Sequence, residues 1–257
     1  MTETRTHQAG DRTVDLHVEH WGEGTRVVLV HGSLAIAAEE WAEQVPLDDE
    51  GFHLVGPDRR GNGSSPAADG EDYLVDADDV EVLMGDGAHV VGHSYGGLGA
   101  MFAAARRPEA TRSLTVLEPA AFGVGLEHPA VAALVEEVRA LWDADTDDAE
   151  FVVAFLRSVG SDPDAFPPEF LEAALPLVPV FRNGRRFWEA ELPLAEIAAA
   201  TYPKVVVSGG HHPAFEAMCD ALADRIGAER RVVAGAGHEI QFTGEAINEV
   251  LRGVWRS

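Results

Sequence analysis

The chain has 257 residues, 46% hydrophobic and 25% charged, enough for one large α/β domain with an insertion and a full core. Its formal net charge of −25 excludes nucleic acid and anionic membrane surfaces as partners, because both require a basic footprint. No apolar run approaches the roughly 18 residues of a membrane span.

The polar opening MTETRTHQAGDR has no apolar core, so no signal peptide is expected. The lone Cys219 excludes an internal disulfide, and together these features point to a cytoplasmic location. Residues 13–20 alternate Val14, Leu16 and Val18 with polar partners, the pattern of a half-buried strand. Residues 26–30 form an apolar run suited to burial on both faces, ending in His31-Gly32-Ser33-Leu34. A glycine directly after such a strand lets backbone N–H groups face a cleft, as an oxyanion hole requires. The same residues would serve equally as an ordinary strand-to-helix turn. Residues 35–44 read as a short helix and residues 52–57 as the next buried strand. Asp58-Arg59-Arg60-Gly61-Asn62-Gly63-Ser64-Ser65 reads as a tight loop beside a site, and residues 72–84 as an amphipathic surface helix.

Residues 88–108 carry the strongest chemical signal. His89-Val90-Val91 reads as a buried strand and residues 98–107 as an alanine-rich helix. Between them Gly92-His93-Ser94-Tyr95-Gly96-Gly97 fits G-x-S-x-G with an extra glycine. A strand turning straight into a helix strains the apex residue, and small flanking residues let the two elements pass closely. The apex hydroxyl then stands above the sheet at a helix N-terminus, where free N–H groups favour developing negative charge. Ser94 is the expected nucleophile.

Residues 113–117 form another apolar strand, ending in Glu118-Pro119. From 122 to 200 the pattern changes to helical stretches (130–142, 149–159, 168–175, 183–191) separated by proline-rich breaks. Trp142, Phe151, Phe155, Phe166, Phe170, Phe181, Phe187 and Trp188 crowd this segment. It is expected to dock as a cap over the strand ends, with Phe181 and Trp188 against the substrate. The sheet resumes at 204–208, followed by Gly209-Gly210-His211-His212-Pro213, a helix over 214–226 and a last strand over 230–233. Gly235-Ala236-Gly237-His238-Glu239 then precedes an amphipathic helix over 243–255. The expected division is a core of residues 1–121 and 201–257 with a helical cap of 122–200. Strands alternating with helices indicate a mostly parallel α/β sheet covered on both faces.

Four motifs in this order, His31-Gly32, Asp58-x-Arg60-Gly61-x-Gly63-x-Ser65, the Ser94 motif and Gly235-x-Gly237-His238, resemble the α/β-hydrolase superfamily over nearly the whole chain except the cap. The resemblance implies an eight-stranded sheet, a helical cap, a Ser–acid–His triad and an oxyanion hole. By position Ser94 is the nucleophile and His238 the base, with oxyanion donors from the backbone N–H groups of Tyr95 and of Ser33 or Leu34. His31 and His93 stand in motif positions and are read as packing or orienting groups.

The acid departs from the commonest pattern, because His211 and His212 stand where most members carry an aspartate after the seventh strand. Glu118, at the end of the sixth strand, is similar in position to the acid of zearalenone-type lactonases and some haloalkane dehalogenases. Glu216 or Glu239 would be the alternatives. The adjacent His211 and His212 have no ligand spacing around them, so no metal or other cofactor is expected, and His212 is assigned to substrate binding.

The function expected is a serine hydrolase acting on a small-molecule carboxylic ester or lactone with an apolar body, through an acyl-enzyme. A serine nucleophile excludes the aspartate-nucleophile dehalogenases and epoxide hydrolases. Thioesterases, C–C bond hydrolases and cofactor-free haloperoxidase-like members stay open, as does a non-hydrolytic receptor or pseudoenzyme on the same fold. The oligomeric state is open too, a homodimer included.

Overall fold

The computed structural model describes residues 7–9 and 12–257. Much of the polar opening on which the signal-peptide reading rests therefore lies outside the described residues. Nine strands and ten α-helices follow one another along these residues. The strands are β1 (His7–Ala9), β2 (Arg12–Val14), β3 (Val18–Trp21), β4 (Thr25–Val30), β5 (Phe52–Pro57), β6 (Ala88–His93), β7 (Thr111–Leu117), β8 (Lys204–Ser208) and β9 (Glu229–Val232). The helices are α1 (Ala37–Glu40), α2 (Tyr73–Leu83), α3 (Ser94–Arg106), α4 (Pro129–Asp143), α5 (Asp148–Ser158), α6 (Pro168–Ala174), α7 (Val178–Asn183), α8 (Leu194–Ala199), α9 (Pro213–Ile226) and α10 (Glu245–Trp255).

Seven strands form one sheet in the order β3-β5-β4-β6-β7-β8-β9. Only the β3–β5 pair is antiparallel, and every other neighbouring pair is parallel. Valine-rich runs make this sheet because both faces are covered. Val28, Val30, Val90, Val116 and Val206 enter one core cluster, whereas their neighbours Val27, Leu29, Val91, Leu117, Val205 and Val207 enter the other. The second face is closed by α10, whose Ile247, Leu251, Val254 and Trp255 lie in that cluster.

The register sets Val30 against Gly92, His93 against Leu117 and Leu117 against Val207. The residues that follow β4, β6, β7 and β8 therefore emerge side by side at one edge of the sheet. In open parallel sheets this carboxyl edge is where ligands bind.

The eight-stranded expectation is corrected to seven among the described residues. The expected strand over 13–20 is divided: β2 pairs with β1 in a separate antiparallel hairpin, and β3 joins the sheet. The break falls where the backbone of His17 bonds elsewhere, its N–H to Ser65 Oγ and its carbonyl to the Asp58 N–H. The alternation still predicts burial, since Val14, Leu16 and Val18 are all buried. The expected helix over 35–44 is one short turn, α1, running into a 3-10 stretch over Ala42–Glu50 that contains Pro46.

Between β7 and β8 the chain forms no strand, only α4–α8 and short 3-10 turns. Trp142 gathers this insertion, making edge-on contacts with Phe151, Phe155, Phe181, Phe187 and Trp188. Such aromatic pairs add about 0.5–1.5 kcal/mol each beyond the area they bury. The expected helix over 183–191 is absent apart from a 3-10 turn at Phe187–Glu189. Here the backbone is claimed by the core: the Arg185 N–H donates to Glu71 O at 2.7 Å, and its carbonyl accepts from Tyr95 Oη at 3.1 Å.

Candidate active site

Ser94 is the first residue of α3, directly after β6, with φ of 49°. The turn is possible because Gly92 and Gly96 carry no side chain where the backbones meet. A Cβ on Gly96 would lie 2.2 Å from the His31 carbonyl oxygen, and one on Gly92 would lie 2.7 Å from Gly97 Cα. Leu34 (φ 60°) and Glu118 (φ 38°) are the other non-glycine residues in the left-handed region among those described. All three follow the carboxyl ends of central strands. Each such conformation costs on the order of 1–3 kcal/mol and persists where the surroundings over-determine it.

Strain at these positions coincides with a hydrogen-bonded chain. His238 Nδ1 lies 2.8 Å from Glu118 Oε2, and His238 Nε2 lies 3.1 Å from Ser94 Oγ. A carboxylate only accepts, so Nδ1 carries the proton and Nε2 is bare toward the serine hydroxyl. Glu118 is fully buried. Burial alone would raise its carboxyl, but His211, His238 and the Gly209 N–H outweigh this and bring it down to about 2. The sequence-predicted Ser94, His238 and Glu118 are thus brought together. The alternatives are engaged elsewhere: Glu216 holds Arg230 at 2.7 Å, and Glu239 accepts from Ser161 Oγ at 2.8 Å.

A second buried chain ties the three loops of the site. Glu40, buried at the end of α1, accepts the Gly32 N–H at 3.0 Å and meets His93 Nδ1 at 3.0 Å. His93 Nε2 donates to the His238 carbonyl at 3.1 Å. Both ring nitrogens face acceptors, which favours the imidazolium; burial opposes the charge, but Glu40 raises the group above its ordinary value. His31 shows the opposite arrangement, donating from Nδ1 to Gly32 O and accepting the Arg59 N–H at Nε2. Burial pushes it down to about 3, so it is a neutral spacer. Both histidines are orienting groups.

Arg59 supports the same loop from below. Its guanidinium donates to the carbonyls of His31 and Gly32, to Glu71 at 2.6 Å and to Asp76 at 3.0 Å. Glu71 in turn accepts from Ser33 Oγ at 2.7 Å. Removing Arg59 would strand two buried carboxylates. Arg59→Met is therefore expected to lower stability by about 3–5 kcal/mol, read from urea unfolding midpoints. The 58–65 loop lies beside the site as expected from the sequence, and Asp58 builds it, accepting the N–H groups of Ala37 and Ser64. Arg59, Glu40 and Glu71 are absent from the sequence-based site, because their only signal is charge within otherwise apolar or loop contexts.

The expected oxyanion residues also border Ser94. Ser33 and Leu34 line an outer cavity of about 60 Å³ with Ser94, and Ser33 and Tyr95 line an inner recess of about 10 Å³. The glycine reading needs adjustment, because the Gly32 N–H is already taken by Glu40, and the left-handed residue that turns this loop is Leu34. Phe155, Phe166, Phe170 and Phe242 wall the outer cavity; Phe122, Phe181, Phe187 and Phe215 wall the recess. A larger groove of about 580 Å³ between β9 and α10 contains none of the residues of the Ser94 chain.

Phe181 lines the recess. Trp188 and His212 are corrections, since neither lines either cavity at Ser94. Trp188 packs behind Phe187 with ring centroids 4.9 Å apart, and His212 caps α9, accepting the Ala214 N–H. No group of three or more His, Cys, Asp or Glu side chains among the described residues is arranged to hold a metal ion. No helix among them is long and apolar enough to cross a membrane.

The sequence profile of the alpha/beta hydrolase family matches residues 27–250. The chain is 33% identical over 195 residues to Lipase LipV of Mycobacterium tuberculosis, covering 70% of this chain and 68% of that protein. Its fold is similar to a thermophilic esterase from Thermogutta terrifontis (TM-score 0.73, 24% identity, 98% of this chain and 96% of that one). It is also similar to an esterase from Exiguobacterium antarcticum (TM-score 0.75, 19% identity, 99% and 100% covered). This protein belongs to the α/β-hydrolase family.

Proposed function

We propose that the protein is a serine hydrolase cleaving a small carboxylic ester or lactone with an apolar body through an acyl-enzyme on Ser94. The observation that carries this reading is the unbroken chain Glu118–His238–Ser94, with links of 2.8 and 3.1 Å, beside an apolar cavity. His238 takes the hydroxyl proton as Ser94 Oγ attacks the carbonyl carbon. Backbone N–H groups of Tyr95 and of Ser33 or Leu34 receive the oxyanion. The leaving alcohol departs with the proton from His238. Water, deprotonated by the same imidazole, then attacks the acyl carbon and restores the serine. Glu118 keeps the working tautomer of His238 and balances the imidazolium charge.

Residues 122–200 act as the cap, and their Phe155, Phe166 and Phe170 select an apolar substrate body. Kinship with a lipase supports ester chemistry. The inner recess is walled by Phe122, Phe181, Phe187 and Phe215, whose rings crowd a long acyl chain more than a short one. Turnover of p-nitrophenyl esters of increasing acyl length tests this. Acetate and butyrate are expected to be hydrolysed, with decanoate slower by about tenfold or more, since crowding a pocket by one methylene costs about 1–3 kcal/mol. Absence of turnover with every ester and lactone tried, alongside binding of an apolar ligand, would favour a non-hydrolytic binding protein instead.

A further inference from the structure

Glu118 has a second oxygen, and its surroundings are specific. Oε1 accepts the Gly209 N–H at 2.7 Å and lies 3.3 Å from His211 Nδ1, an ion-pair contact rather than a well-aimed hydrogen bond. The other ring nitrogen, His211 Nε2, donates to the carbonyl of Val159 at 2.9 Å. Val159 ends α5, the helix whose Phe155 and Leu156 line the outer cavity with it. The turn after it is moulded to His211: Gly160 has φ of 80°, and a Cβ there would lie 2.8 Å from His211 Cδ2. Ser161, next in the chain, donates to Glu239 beside His238. Phe215 packs against both imidazoles, with ring centroids 5.8 Å from His211 and 4.8 Å from His238.

We propose that His211 is a positioning residue of the triad: as an imidazolium it shares the charge of Glu118 and fastens that carboxylate to the end of the cavity-lining helix α5. This rests on the hydrolase reading above. One of its nitrogens faces a carboxylate and the other a carbonyl; neither partner can donate, so an imidazolium finds an acceptor on each side. The groups facing the ring are Glu118 after β7, His238 and Glu239 of the last loop, its neighbour His212, and the Val159 carbonyl. Burial disfavours the charged form, but Glu118, the Val159 carbonyl and Glu239 raise the group above its ordinary value. The commonest acid position after the strand is thus occupied by histidines, one of which serves the acid that lies elsewhere.

Two variants separate the two contacts. His211→Asn keeps a donor near Glu118, and His211→Gln keeps one near Val159, while both remove the charge. With Glu118 no longer sharing its charge, the proton on His238 is held more firmly. The acidic limb of kcat/KM, which reports the free imidazole, should then move up by about one pH unit in both variants. Their kcat should fall roughly tenfold to a hundredfold, less than the roughly 10³–10⁴ expected for loss of the Glu118 carboxylate itself. Ser161→Ala cuts the neighbouring tie without touching Glu118 and should leave the limb where it was. A limb that stays put in both His211 variants overturns the proposal, even if kcat falls. Should the variants fold poorly, NMR titration of ¹³C-labelled histidine in the wild type decides the matter. The His211 ring must titrate above the ordinary value of about 6.5, and a lower midpoint overturns the charge sharing. Fluorophosphonate labelling of the wild type at Ser94 tests the hydrolase reading separately, so the two can fail independently.

Discussion

Ser94→Ala is expected to lower kcat for an aryl acetate by about 10⁶-fold while leaving the fold in place. The hydroxyl is the group that His238 Nε2 meets at 3.1 Å, and Ser94 lines the outer cavity. The substitution removes one oxygen and keeps the Cβ, so the steric cost of the left-handed backbone is the same in both proteins. Loss of rate with an unchanged thermal midpoint therefore reads as loss of the nucleophile. Residual catalysis of about 10³–10⁴ over water should persist, because the N–H groups of the oxyanion loop and the cavity are untouched.

Glu118→Gln is the second large effect, a fall in kcat of roughly 10³–10⁴. The Gly209 N–H donates to Oε1, so the amide oxygen of a glutamine will settle there. Its NH₂ then takes the place of Oε2, facing His238 Nδ1. Nδ1 must become an acceptor, which moves the ring proton to Nε2 and points it at Ser94. The base is then in the wrong tautomer and has lost its counter-charge together. Because the carboxyl is held down at about 2, Glu118 stays ionised wherever the enzyme is assayed near neutrality, and the loss should be uniform in pH there. Glu216→Gln, whose partner is Arg230, should be near neutral. If Glu118→Gln kept more than about a tenth of wild-type kcat while Glu216→Gln fell steeply, the acid would lie after β8 instead.

The residues of the Glu118–His238–Ser94 chain are legible in the sequence because local chemistry announces them. Ser94 sits between glycines that only a strand-to-helix turn needs, and His238 lies in a glycine loop after the last strand. Glu118 was legible by exclusion, since the position after β8 holds histidines and Glu118 ends an apolar strand. What was not legible depends on contacts distant in sequence. Glu40 looks like one more acid in a short helix, yet it joins Gly32 to His93. Arg59 reads as a loop charge, but the loop carries it inward between Glu71 and Asp76. Trp188 and Phe181 look equivalent in an aromatic-rich segment. Which one faces the recess follows from the extended segment before Phe187, whose backbone bonds to Glu71 and Tyr95 and not to itself. Burial of β2 and β3 followed from alternation, whereas their separation depended on His17 bonding to Ser65 and Asp58.

A covalent intermediate at Ser94 is tested most directly by acid-quenched mass spectrometry during turnover of p-nitrophenyl acetate. The predicted result is a mass gain of one acetyl group, mapped to the peptide containing Ser94, present in Glu118→Gln at a slower rate of formation and absent in Ser94→Ala. Turnover without any acylated species in the first milliseconds, or an acetyl group on another residue that persists in Ser94→Ala, would contradict it.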